Sequence, residues 1–334
     1  MSGKVAFHST ESARSLGLGN LALFSRYRGL PSLCQQDHEQ LIRHELADAV
    51  ARGGLCAGLG DEKAPSAVCA VTPLAWDSAH FGMPMANLVL AAAPDCPRPQ
   101  LLSLLQQALA ATAARQPLRH VSVDLDIDDY HCLNALLALG CEVVDIKRYF
   151  RWSSLKEVRT PKFLSCVRAY RQEDRSRVLE LLDDACFESR FSRDALLAPE
   201  RVKGLYRRWF EQLLEQPDDE VIALVFEKGG RVEACGVIAE QDLQPAGVSA
   251  RFMDKGLYVS GPRGVGGYFP VIYALAERSL ARHDTVRTCV SLNNHAAVRV
   301  LERMNAVTAS TRYALRLKWD QPQLEISKVS AVCL

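Results

Sequence analysis

No uninterrupted apolar run in the chain approaches the roughly 20 residues that a membrane helix requires. The N-terminus lacks the basic, apolar, small-residue order of a secretory signal. Net charge is nearly absent as well. With 40 basic and 39 acidic side chains the balance is +1, so no field gathers nucleic acid or an acidic membrane surface. Nothing pairs the 11 cysteines, which are odd in number and scattered without a Cys-x-x-Cys spacing, so reduced, mostly buried thiols are expected. The 8 histidines show no His-Glu-x-x-His or comparable spacing, and no metal site is expected. What is present is a 334-residue chain, 48% hydrophobic, long enough for one large or two ordinary domains. It is expected in the cytoplasm, with neither nucleic acid nor membrane as partner.

The most informative stretch is 255–306. Gly256, Leu257, Tyr258 and Val259 end a strand, and the loop Ser260-Gly261-Pro262-Arg263-Gly264-Val265-Gly266-Gly267 follows at once. A helix comes next, with Pro270 expected in its first turn and Val271, Ile272, Leu275, Ala276, Ser279 and Leu280 on one face. Strand, glycine-rich loop and helix together make an anion site, because free amides and the positive end of the helix dipole face the same point. A P-loop is excluded, since no Gly-Lys followed by Ser or Thr opens the helix. A dinucleotide fingerprint is excluded by Phe269, which stands where its third glycine would be. Two readings stay open on the loop alone: a plain glycine turn, and the pyrophosphate loop of the GCN5-related N-acetyltransferases, whose Arg-x-x-Gly spacing Arg263 and Gly266 resemble.

Residues 285–292 alternate, with Val286, Thr288, Val290 and Leu292 on one face of a strand. Asn294 then caps a helix carrying Ala296, Ala297, Val298, Leu301 and Met304, and a last strand covers 308–319. Upstream, the first half closes with a strand at 121–126, a helix at 130–139 and a strand at 142–152. One half ends Arg148-Tyr149 with Trp152, the other Arg312-Tyr313 with Trp319. This echo implies two related lobes, the first truncated and without a glycine loop. The expected division is an arm at 1–35, a lobe at 36–152, a linker at 153–162, a second lobe at 163–320 and a tail at 321–334. Strands at 221–226 and 232–239, joined through Gly229-Gly230, supply a hairpin. The fold class is α/β with a mixed sheet.

The order strand, Arg263-x-x-Gly266 loop, helix, strand, Asn294 before Ala296-Ala297 resembles the second half of the GCN5-related N-acetyltransferase fold. With Trp76-Asp77-Ser78, Phe81-Gly82, Ser189-Arg190-Phe191, and Tyr206 with Trp209, the chain is similar to the TDP-fucosamine N-acetyltransferases from about 74 to 319. The resemblance implies acetyl-CoA as donor and an amine acceptor on a nucleotide-linked amino-sugar. It places Leu257, Val259, Arg263, Gly264, Val265, Gly266, Gly267, Tyr268, Asn294 and Ala297 around the cofactor. Asp145 matches an acidic residue near the acceptor, as base or amine-orienting carboxylate; a solvated strand carboxylate is the other reading of its spacing. Leu301 stands where the family has a Tyr that protonates the leaving thiolate. Tyr258, Tyr268, Tyr273 or Tyr313 could reach the thiolate instead, or it could leave without a dedicated acid, its pKa being near 8.5 for an ordinary thiol; Tyr258 is taken as the catalytic candidate. Arg190 is expected on a phosphate, with a salt bridge to Glu188 or Asp194 as the alternative. Asp77 is expected on substrate, or as a turn cap. A homodimer through paired lobes, another small amine or peptide amine as acceptor, and a silent CoA-binding protein all stay open.

Overall fold

The computed structural model describes residues 4–319 without the side chains of Arg263 and Val265; the tail expected at 321–334 lies outside the described residues. The first half runs β1 (Val5–His8), α1 (Thr10–Ser15), α2 (Gln35–Ala51), β2 (Leu55–Asp61), β3 (Ala64–Pro73), α3 (Ala75–Phe81), β4 (Met85–Ala92), α4 (Arg98–Arg115), β5 (His120–Asp126), α5 (Tyr130–Ala138) and β6 (Glu142–Trp152). The second runs β7 (Val167–Ala169), α6 (Arg175–Asp184), α7 (Arg190–Arg193), α8 (Pro199–Leu214), β8 (Val221–Lys228), β9 (Arg231–Asp242), β10 (Arg251–Ser260), α9 (Val265–Leu280), β11 (Val286–Ser291), α10 (His295–Arg303) and β12 (Val307–Lys318). Local chemistry explains many boundaries. Asn294 accepts the Ala297 N–H at the head of α10, and Asp129 does the same for Cys132 in α5. Gly229 and Gly230 both take positive φ, as a two-residue hairpin turn requires.

All these strands join one mixed sheet in the order β1-β2-β3-β4-β5-β12-β6-β11-β10-β9-β8-β7. The order is two-fold: each half lays down its strands from an outer edge inward to the centre, and the two last strands change places. Thus β12 pairs with β5 from Arg312↔Asp126 to Lys318↔His120, while β6 pairs with β11 from Val286↔Trp152 to Ser291↔Lys147. The two lobes therefore share the middle of the sheet, and the connection at 153–162 links halves that are already interlocked.

Several expectations need correction. Residues 5–35 are not a peripheral arm: β1 pairs with β2 at the sheet edge, and Leu16 and Leu18 sit in the first core. With β1 and β2 counted, the first half supplies as many strands as the second, so it is not the shorter lobe. The stretch 75–81 is a helix rather than a turn. Pro270 lies inside α9, past the first turn, so the Gly266 carbonyl loses its usual i+4 donor. The second lobe opens on a 3-10 turn at Leu164–Cys166 followed by the three-residue β7.

Candidate active site

The site begins with a fault in β10. Its register against β9 shifts between Asp254 and Leu257, and Lys255 there takes φ 55°, a left-handed conformation that costs a non-glycine residue energy. Beyond the fault β10 and β11 part. Their parallel pairing is limited to Met253↔Val286, so a cleft opens between the two strands toward the loop.

The loop closes the outer end of this cleft. Gly261 donates to the Glu233 carbonyl at 3.0 Å, and Gly264 donates back to Gly261 at 2.8 Å. A Cβ on Gly264 would lie far inside contact distance of the same Glu233 oxygen, whereas Gly266 faces open space. Glycine is thus a packing requirement at 264 and leaves room for a ligand at 266. The outer cleft has a volume of about 500 Å³ and is lined by Val259, Ser260, Gly261, Tyr268, Asn294 and Ala297 among others. The first turn of α9 follows the loop and supplies Tyr268 to the lining. These features fit the pyrophosphate and pantetheine arm of an acyl-CoA.

Inward, the cleft leads to a chamber of about 190 Å³ that shares Phe187, Tyr258, Tyr268, Asn294 and Ala297 with it. Both lobes build the chamber. Asp145 and Lys147 come from β6, Arg190 from α7, Tyr206 from α8, and Leu257 and Tyr258 from β10. Asp145 is 4% exposed. Its Oδ1 accepts the Ser291 hydroxyl at 2.7 Å and the Ile146 N–H at 2.8 Å, while Oδ2 has no hydrogen bond among the described residues. Lys147 is tied to Asp124, which also pairs with Arg312. Burial works against ionisation of Asp124, but Lys147 and Arg312 outweigh it and hold the carboxyl far below its usual range.

Tyr258 folds its hydroxyl over Gly256, and burial pushes it up to about 12, only partly offset by a hydrogen bond with Thr288. Burial also raises Tyr268. Both phenols therefore keep their protons at neutral pH. Leu301, 2% exposed, lines the chamber and donates nothing. Tyr273 packs in the core under α9 and Tyr313 against the first core, so neither reaches the chamber.

Arg190 lines the chamber with its guanidinium 4.5 Å from the Phe191 ring centroid. Among the described residues it has no carboxylate partner, because Glu188 pairs with Arg193 at 2.8 Å and Asp194 with His120 at 2.7 Å. Asp77 is not brought in; it lies in the first turn of α3, outside the chamber lining. The side chains of Arg263 and Val265 lie outside the described residues. Lys147, Ser291 and Cys289 line the chamber without having been singled out. The spacing of Asp145 and Lys147 on one strand face could have found the lysine. Ser291 and Cys289 meet them through strand pairing across the chain, which leaves no local trace. Among the described residues no group of three His, Cys, Asp or Glu could hold a metal, and no helix is long and apolar enough to cross a membrane.

No family model and no curated protein matches the sequence. Solved structures do match. A GCN5-related N-acetyltransferase from Sphaerobacter thermophilus aligns over 94% of this chain and 95% of its own, with TM-score 0.55 and 12% identity. The fold is that of the GCN5-related N-acetyltransferases. A GNAT-family acetyltransferase from Colwellia psychrerythraea aligns over 95% of this chain and 100% of its own, with TM-score 0.50 and 15% identity. A tandem GNAT protein from the clavulanic acid biosynthesis pathway aligns over 94% and 98%, with TM-score 0.50 and 10% identity. In this acetyltransferase fold, the splayed strands β10 and β11 and the glycine loop belong to the second lobe.

Proposed function

We propose that the protein is an acyl-CoA-dependent N-acyltransferase of the cytoplasm, acting on the amine of a nucleotide-linked amino-sugar. The observation that carries this reading is the free Oδ2 of Asp145, in a chamber that also holds the protonated phenols of Tyr206, Tyr258 and Tyr268 and opens onto a glycine-loop cleft. Acetyl-CoA, when bound, supplies the thioester carbonyl that the amine attacks. Ser291 and the Ile146 amide hold Oδ1, so Oδ2 can orient the amine and take its proton. Tyr258, the catalytic candidate, can return a proton to the departing thiolate, a role that Leu301 cannot fill. Cys289 opens onto the chamber, but surrounding protein pushes its thiol up to about 11, so it keeps its proton and direct attack by the amine is favoured over an acyl-cysteine. Arg190, a cation without a carboxylate partner, suits the phosphate of the acceptor.

Thiol release from acetyl-CoA is to be measured against amino-sugars with and without a nucleotide, alongside calorimetric acetyl-CoA binding. Turnover should be greatest with the nucleotide-linked amine. Asp145→Asn should lower turnover by about 10²–10⁴-fold, the range of a positioned general base, with acetyl-CoA affinity unchanged. Unaltered turnover would remove Asp145 from the mechanism, and failure to bind acetyl-CoA would remove the cleft assignment.

A further inference from the structure

We infer that His120 and Asp194 form a buried latch between the lobes that positions α7, and through it Arg190, for the acceptor. They are positioning residues, and neither lines the chamber. The inference rests on the reading of the chamber as an acceptor site.

Four residues cannot sustain a helix by themselves, since a helical nucleus is unfavourable at that length. α7 is instead held at both ends. At its head the Ser189 hydroxyl accepts the Phe191 and Ser192 amides at 3.2 and 3.4 Å and a hydrogen bond from Tyr206. Asp194 ends α7 and accepts the Leu196 amide at 3.0 Å. Its other oxygen lies 2.7 Å from His120 Nε2, and Arg316 Nε lies 3.2 Å from the first. His120 opens β5 in the first lobe, and Arg316 on β12 is itself held by Glu142 at 2.9 Å. The His120 and Asp194 side chains are each 3% exposed.

A buried ionic group of this kind is a poor way to gain stability, because desolvation offsets most of the attraction. Its effect is geometric. It attaches the end of a four-residue helix in one lobe to a strand of the other at one distance and orientation. Between the two attachments stand Arg190 and Phe191, which face the chamber, and Phe191 stacks on Phe81 of the first lobe at 5.8 Å. Releasing the latch, which holds the far end of α7, should free α7 while leaving the acetyl-CoA cleft, built from β10, the glycine loop, α9, α10 and residues 184–187 ahead of α7, as it was.

The test compares wild type, His120→Ala and His120→Gln, whose amide can still donate to Asp194. In His120→Ala, amide exchange at 189–194 should accelerate about tenfold, the scale of a lost buried hydrogen bond, while exchange in β10 and α9 is unchanged. The acceptor KM should rise by a similar factor with kcat and acetyl-CoA affinity held, and His120→Gln should restore most of both effects. Wild-type exchange at α7 in a folded His120→Ala protein overturns the latch whatever the acceptor is. Faster exchange with an unchanged acceptor KM overturns the positioning role. A wild-type protein that acylates no amine overturns the enzyme reading and the positioning role with it, while exchange still reports separately on the latch. Equal loss in both variants, or a parallel fall in acetyl-CoA affinity, marks a general structural effect and overturns the inference.

Discussion

The two lobes meet the same topological opportunity with opposite chemistry. In each, a fourth and a fifth strand run parallel and a helix follows the fourth. In the second lobe they separate after Met253↔Val286, and the connecting turn holds Gly261 and Gly264, with Gly266 and Gly267 in the first turn of α9. In the first they stay paired from Met85↔His120 to Leu88↔Val123, and the turn after β4 holds Pro94 and Pro97, with Pro99 in the first turn of α4, none of which has an amide N–H to offer. The space beside β4 and β5 is a polar cavity of about 40 Å³ lined by Phe24, Arg26, Asp124, Asp126 and Asp129. The N-terminal segment closes it. Ala22 donates to the Ala92 carbonyl at 3.0 Å, and Arg28 pairs with Asp126 at 2.8 Å. A cluster of carboxylates is the wrong lining for a pyrophosphate. The comparison teaches that a splayed strand pair becomes an anion cleft only when its turn supplies amides and the chain does not fill the gap.

The sharpest way to break this contrast is at the turn. Gly264→Ala forces the loop off the Glu233 carbonyl, and turnover should fall by about 10²-fold, the cost of a misplacement near 1 Å, with acetyl-CoA affinity falling too. A folded variant with wild-type affinity would detach the loop from the cofactor. Next in size is a change confined to the first lobe. Leu18→Ala should cost about 2–5 kcal/mol of stability in denaturant unfolding, because Leu18 is fully buried. Acetyl-CoA should still bind the second lobe with unchanged affinity, at one site per chain by calorimetry; a second site would show that the N-terminal plug can be displaced. Gly266→Asp meets no neighbour, so the fold should stand while acetyl-CoA affinity drops roughly tenfold through charge, an effect that added salt should shrink. The smallest effect is expected at α3, where Asp77→Ala should leave turnover within about twofold, as for a surface substitution away from the site.

Much of the second lobe was legible because its signals are local. The alternation of β11, the Asn294 cap, the two-glycine hairpin and the loop are each read from neighbouring residues. Residues 4–35 were not, because they pack through an irregular path whose partners lie in β2, β4, β5, β10, β11 and β12, and no period marks such a path. β2 was missed since Leu55-Cys56-Ala57-Gly58 is short and glycine-broken, and becomes a strand only between β1 and β3. Asp77 was misplaced because a seven-residue helix has too few turns to show its face.

The sequence by itself determined the order of elements from the hairpin at 221 onward, the glycine loop and the two-lobe echo, since these depend on backbone freedom, capping and side-chain period over a few residues. Tertiary structure alone decided that the last strands of the lobes would change places. That exchange brings Asp145 of the first lobe beside Ser291 of the second and opposite Tyr258 and Arg190. The physical reason is that register between strands far apart in the chain is set by which faces can be buried together, and no single segment contains that information.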